Sequence, residues 1–436
     1  MMAARADPRF SAAALAAMLL AVSTVSAGYG IVLPILPLML QVIDGPNAAA
    51  EISRHTGLLT GLHALALFLF APVWGRLSDQ YGRRIILCIG LFGFGASLLL
   101  ATVKLSIGLL YVERFLTGIF AAGIMPVASA VIADQGGSGE WRARRIAWVS
   151  MAAISGFLLG PMLSGFLATL SKATSAGESA RSYELPFLAI AGVALLAGIA
   201  VHCFAPNEAT GVSASEERKR PSSSTGNAQT LLSLRAISFL VAAGVGVFEV
   251  GLALRGNQEL GMAPAQVALM FAACSLVMFV VQAVVFLPRV KPSWTRWLFA
   301  PALSVMALSL LLVPRMTEFA PLLATVAAVA ASAGILSPVL TYWTSLESGN
   351  TKGAGLGKQA AVVSLGQALG SVAGGSLYTI TVLPAAPFVV TAILLAGAAV
   401  AGFGLPRRLK DDRTLPNDVA PREGSCVAAP TPYSDR

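Results

Sequence analysis

Residues 75–84 read Gly75-Arg76-Leu77-Ser78-Asp79-Gln80-Tyr81-Gly82-Arg83-Arg84. Long apolar runs lie on both sides of this stretch. It packs three arginines, one aspartate and two glycines into a gap too short for any domain. A charged connection between two apolar helices belongs at a membrane face, and the glycines predict a tight turn with close helix approach. A loop that is merely rich in basic residues accounts for the arginines. It does not account for Asp79 or for the glycine spacing.

Composition agrees with that reading. The chain has 436 residues, of which 56% are hydrophobic and 12% charged, and its mean hydropathy is +0.75. Soluble domains carry about 25% charged residues, so the sequence predicts a polytopic membrane protein. Its net charge of +9 invites a nucleic-acid reading. The placement of the basic residues argues against one, as shown below. Cys88, Cys203, Cys274 and Cys426 are scattered, with no disulfide framework or CxxC pair. His55, His63 and His202 lack metal-ligand spacing. The first apolar run contains Val25-Ser26-Ala27, which loosely suits a cleavage site, but it continues to about residue 41 and reads as an uncleaved span.

Twelve apolar segments approach the ~20 residues a bilayer requires. They cover 11–41, 56–75, 85–103, 106–133, 145–170, 186–205, 235–255, 264–287, 297–314, 320–345, 359–381 and 385–405. With both termini on one side, 23 of the 30 Lys and Arg residues fall on that side and six on the other, while Arg114 lies inside a span. This bias predicts cytoplasmic termini. Residues 1–205 form one six-span bundle and 235–405 a second. Between them, 206–234 contains Glu216-Glu217-Arg218-Lys219-Arg220 and reads as a polar tether, and 406–436 as a disordered cytoplasmic tail. The halves echo each other. Gly156-x-x-x-Gly160-Pro161 and Gly366-x-x-x-Gly370-Ser371 are offset by 210, which predicts duplicated halves.

The opening stretch resembles the signature loop between helices 2 and 3 of the major facilitator superfamily, Gly-x-Leu-(small)-Asp-(basic)-x-Gly-(basic)-(basic). Nine positions fit and Gln80 departs. The fifth span, Gly156-Phe157-Leu158-Leu159-Gly160-Pro161-Met162-Leu163-Ser164-Gly165, resembles the antiporter motif of the drug:proton antiporter group, with Ser164 replacing a glycine. Arg114-x-x-x-Gly118 resembles the family's helix-4 arginine motif. The resemblance implies an all-α fold of two pseudo-symmetric six-helix bundles. It implies a monomeric, non-enzymatic secondary transporter in a bacterial inner membrane. The expected activity is export of a small organic molecule by alternating access, driven by protons. Uptake by symport of a small, possibly anionic, metabolite is the alternative, and a non-transporting receptor or scaffold is a third reading.

The resemblance assigns Gly75, Asp79, Gly82, Arg83, Arg84 and Asp134 to a conformational latch. In it Asp79 faces the N-terminus of span 11, near Gly355 to Lys358, when the cytoplasmic side is closed, and Arg83 meets Asp134. Gly156, Gly160, Pro161 and Gly165 form the antiporter motif, where glycines four apart clear a helix face. Pro161 frees the Phe157 carbonyl. A charge within a span costs roughly 2.5–3.5 kcal/mol on insertion scales, so intramembrane ions mark candidate sites. Glu249 is the isolated acid of the second half and the expected proton carrier, with Glu113 as the second candidate. A structural pairing of Glu249 with Arg255 is the bland reading for the first. Glu113 and Arg114 neutralising one another is the bland reading for the second. Arg114, Tyr29, His63, Gln282, Trp343 and Gln367 are the candidate cavity residues. No GxxxxGK[ST] loop is present, so no ATP, metal or organic cofactor is expected and a proton gradient is the energy source.

Overall fold

In a computed structural model, the chain is described at residues 11–45, 48–103, 106–134, 139–174, 181–206, 228–285, 292–347, 352–379 and 385–409. Residues 207–227 of the tether and 410–436 of the tail lie outside the described residues.

The first half contains α1 (Ala12–Asp44), α2 (Ala49–Tyr81), α3 (Arg83–Val103), α4 (Ile107–Ala121), α5 (Ile124–Ala133), α6 (Gly139–Thr174) and α7 (Arg181–Phe204). The second contains α8 (Ala228–Leu254), α9 (Pro264–Val285), α10 (Phe299–Leu312), α11 (Phe319–Glu347), α12 (Lys352–Tyr378) and α13 (Ala386–Arg408). Twelve helical stretches are long and apolar enough to cross a membrane. The chain is an all-α integral membrane protein. Several helices overrun the expected segments. The 33 residues of α1 rise about 1.5 Å each, well beyond a ~30 Å hydrocarbon core. Likewise α8 begins at Ala228 rather than 235, because Ala228-Gln229-Thr230-Leu231-Leu232 can extend a helix beyond the apolar core.

The decisive stretch differs from a hairpin. Helix α2 runs on through Tyr81, and a single residue, Gly82, makes the whole turn before α3 starts at Arg83. Gly82 has φ +95°, which an L side chain rarely adopts. Ser78 explains part of the continuity. Its hydroxyl donates to the Gly75 carbonyl inside the helix and accepts from Arg83 Nη1 across the turn.

The fourth span is broken into α4 and α5. Pro126 has no N–H for the Ala122 carbonyl. The Trp74 indole donates to the Ile119 carbonyl at 2.6 Å, and Gly123 leaves room for its ring.

The end that carries Gly82 is called here the loop end, and the opposite one the far end. The two halves meet towards the far end. Gly375 on α12 abuts Ser53 and Gly57 on α2, and Gly165 on α6 abuts Ala265 and Ala268 on α9. These two seams are copies, since 165 and 375 differ by 210 and the partners by 211–212. Gln41 donates to Asn257 at 2.6 Å, and Ser53 to Gln258 at 3.2 Å. The hydrophobic core follows the same geography. One cluster joins Ile31, Leu36 and Leu59 of the first half to Phe248, Phe271 and Leu303 of the second. A separate cluster, with Met18, Leu87, Val127 and Val201, fills the first half at its loop end.

Candidate functional site

The glycine helices set the site. A Cβ at Gly160 would lie 2.5 Å from the Ala27 carbonyl oxygen, so α6 rests on the α1 backbone. A Cβ at Gly370 would run into the Ala243 carbonyl oxygen, and α12 rests likewise on α8. The correspondence holds residue by residue. Gly30 meets Phe157 and Pro161, and Gly246 meets Gln367 and Ser371. The offsets are 216 for the first helix of each pair and 210 for the second. Close approach of this kind is what small residues permit in membranes.

That packing gathers four of the expected residues. Tyr29 on α1 donates its hydroxyl to Glu249 Oε2 on α8 at 2.7 Å. Gln367 Nε2 on α12 lies 3.1 Å from the Tyr29 oxygen and 3.2 Å from Glu249 Oε2. The Tyr29 ring stacks on His63 of α2, with centroids 5.2 Å apart, and on Phe157 of α6 at 5.9 Å. His63 Nδ1 lies 3.3 Å from Thr117 Oγ1 on α4. Glu249 is 6% exposed, and among the described residues it forms no ion pair. Its oxygen is held by neutral donors from both halves. Phe157 was not among the candidates, although it occupies a variable position of the antiporter motif and its copy is Gln367.

Glu113 and Arg114 take a different course. Consecutive helical residues point about 100° apart. Even so, the long Arg114 side chain turns back and forms a bidentate pair with Glu113, both contacts at 2.5 Å. Glu113 is 0% exposed and Arg114 3%. The pair is closed within one helix, and among the described residues no hydrogen bond or ion pair joins Arg114 to Glu249. Arg255 does not neutralise Glu249 either. It pairs with Glu259 and donates to the Met316 carbonyl at 2.9 Å, and Tyr378 donates to Glu259 at 2.5 Å.

Two expected cavity residues lie elsewhere. Trp343 is 2% exposed inside the second half, where its indole donates to Thr295 Oγ1 at 3.0 Å. Gln282 lies near the loop end of α9, far along the helix from the Glu249 level. Both have polar atoms in an apolar span, and composition alone cannot give their depth or facing.

At the turn, Arg83 pairs with Asp79 at 2.7 Å and with Asp134 at 3.2 Å. The expected contact of Asp79 with the start of α12 is not made. Asp79 is 46% exposed, Lys358 is exposed, and Gly75 and Gly357 have open space around them. Arg84 leaves the latch. It points towards α7, lining a groove with His202.

A family description, Major Facilitator Superfamily, matches residues 18–349. The chain is 25% identical over 405 residues to multidrug resistance protein 2 of Bacillus subtilis (strain 168), covering 90% of this chain and 93% of that one. Its fold is shared with the D-xylose–proton symporter, at TM-score 0.72 and 15% identity, over 91% of this chain and 98% of that one. It is shared also with a bacterial homologue of the human lysosomal transporter Spinster in an inward-facing, occupied conformation, at TM-score 0.70 and 16% identity, over 91% and 96%.

Proposed function

Because the chain belongs to the Major Facilitator Superfamily, we propose that this transporter exports a small organic molecule in exchange for protons, with Glu249 as the proton carrier. The observation that carries this reading is the Tyr29–Glu249–Gln367 hydrogen-bond set, which joins a helix of one half to two helices of the other. Alternating access rocks one half against the other around a midplane site. A carboxyl group bound across that seam feels the rocking directly. Protonated, it is neutral and suits a dry, closed site. Ionised, it requires water, polar donors or a cationic substrate. Proton and substrate thereby compete for one group.

The loop end faces the cytoplasm on this reading, since most Lys and Arg residues lie there. The halves are joined at the far end and parted at the latch, so the conformation is open to the cytoplasm. The similarity to a protein named for multidrug resistance supports outward transport, as does the glycine face of α6. No cofactor takes part, and the working unit is a single chain.

The test is an accumulation assay. Cells producing the protein should hold less of a fluorescent organic cation than cells producing Glu249→Gln, and a protonophore should remove the difference. Energy-dependent accumulation inside the cells would overturn export and favour symport.

A further inference from the structure

The groove beside Arg84 has no role in the transport cycle described above. It lies between the start of α3 and the end of α7, at the loop end, on the outer surface of the first half. It measures about 320 Å³, within the range of small-molecule sites. Its lining is Arg84, Ile85, Cys88, Ile89, Phe92 and His202. The floor is built, since Cys88 Sγ lies 3.7 Å from the Gly198 carbonyl oxygen, to which it donates, and the Phe92 ring sits on Gly198, where a Cβ would lie 2.8 Å from it.

One end of the groove is polar and the other apolar. Arg84 is half-buried, and neither a hydrogen bond nor an ion pair to it occurs among the described residues. Among the described residues no Asp or Glu lines the groove. His202 is exposed beside it. Deeper into the membrane, Ile85, Ile89 and Phe92 present a stripe at helical spacing, exposed to 49%, 45% and 37%. From Arg84 to Phe92 the stripe runs about 12 Å along the helix. A permanently charged guanidinium at the interface over a descending apolar groove fits one molecule class, a phosphate head on an acyl chain. With no carboxylate among the described lining residues, a head of net negative charge is favoured over a zwitterion. Arginine also suits phosphate through its paired N–H donors.

We propose that the groove between α3 and α7 binds an anionic glycerophospholipid, with its phosphate on Arg84 and His202 and one acyl chain along Ile85, Ile89 and Phe92. The site would tie a specific lipid to the residue next to the latch. Arg83 holds Asp79 and Asp134 on one side of α3, and Arg84 holds the lipid on the other.

Native mass spectrometry of the full-length protein in detergent, supplied with phosphatidylglycerol or phosphatidylcholine, tests the site. Phosphatidylglycerol should be retained at one copy per chain and phosphatidylcholine not. Arg84→Gln should lower that retention at least tenfold, Arg84→Lys should retain part of it through its charge alone, and Arg76→Gln should leave it unchanged. Arg76 is exposed on α2 at the same end of the molecule but outside the groove. Equal retention of the two lipids, equal loss in Arg84→Gln and Arg76→Gln, or displacement by inorganic phosphate at equal concentration would overturn the proposal. If Arg84→Gln does not stay monodisperse, displacement on the unmodified protein decides. Fluorescent phosphatidylglycerol should yield to unlabelled phosphatidylglycerol, and yielding equally to phosphatidylcholine would overturn the proposal.

Discussion

Among the described residues two acids are buried, and they are held in opposite ways. Glu113 has its cation on the next residue of the same helix, at 2.5 Å and sealed from solvent. Glu249 has no cation and is held by Tyr29 from the other half and Gln367 from its own. A pair closed within one helix does not change when the halves rock. A carboxyl group bonded across the seam does. On the proposed mechanism, the span of an acid's hydrogen bonds across moving parts, rather than its burial, marks the proton carrier.

The sharpest way to break this contrast is to strip the cation from Glu113. Removing one partner of a buried pair costs about 3–5 kcal/mol, because the other charge is left uncompensated. Arg114→Gln should therefore lower the thermal unfolding midpoint and the folded yield strongly, and Glu113→Gln/Arg114→Gln should recover part of both. Were the double variant no better than the single, the pair would not be the self-contained structural unit described here.

The duplicated glycine seams come next. Gly160→Ala and Gly370→Ala each push a methyl group against a carbonyl of the facing helix, Ala27 or Ala243. Overpacking of this kind costs about 1–3 kcal/mol. Both should fall in thermal stability by similar amounts, since the seams are copies. A loss confined to one would show that the halves do not share the packing load.

A smaller effect is expected from Tyr29→Phe, which keeps the ring on His63 and removes the hydroxyl from Glu249. Hydrogen bonds to charged groups are worth about 1.5–3 kcal/mol. Proton-driven transport should slow roughly tenfold, at about 1.4 kcal/mol per factor of ten, with unfolding little changed. Unaltered transport kinetics would remove the cross-half bond from the mechanism.

The smallest effect on stability belongs to Asp79→Asn. An exposed pair contributes about 0–1 kcal/mol, so unfolding should hardly shift. Labelling of a cysteine at position 357 should become faster during turnover, because the closed cytoplasmic state loses its attraction to the start of α12. An unchanged rate would remove Asp79 from the latch.

Much of this was legible in the sequence. The twelve spans, the duplication and the antiporter glycines follow from apolar length and from small residues at fixed offsets. Tyr29, His63, Gln367 and Glu249 could each be marked as polar in an apolar run. Their meeting could not, because it joins positions up to 338 apart through the backbone contacts of four glycine-bearing helices. Local errors have local causes. The turn at 75–84 shrank to Gly82 because a helix needs no break before its first positive φ. Glu113 and Arg114 do neutralise one another, because arginine is long enough to bridge the ~100° between consecutive helical residues. Trp343 and Gln282 carried no mark of depth or facing.

The most direct test compares the two acids in one assay. Glu249→Gln and Glu113→Gln, purified and reconstituted into vesicles, are given a pH gradient and a fluorescent organic cation, and both gradient-driven uptake and passive exchange are followed. Glu249→Gln should lose gradient-driven transport while passive exchange stays measurable, and Glu113→Gln, which lowers the folded yield by leaving Arg114 uncompensated, should keep most of its gradient-driven transport per folded protein. Normal gradient-driven transport by Glu249→Gln, with loss in Glu113→Gln, would contradict the account and move the proton to α4.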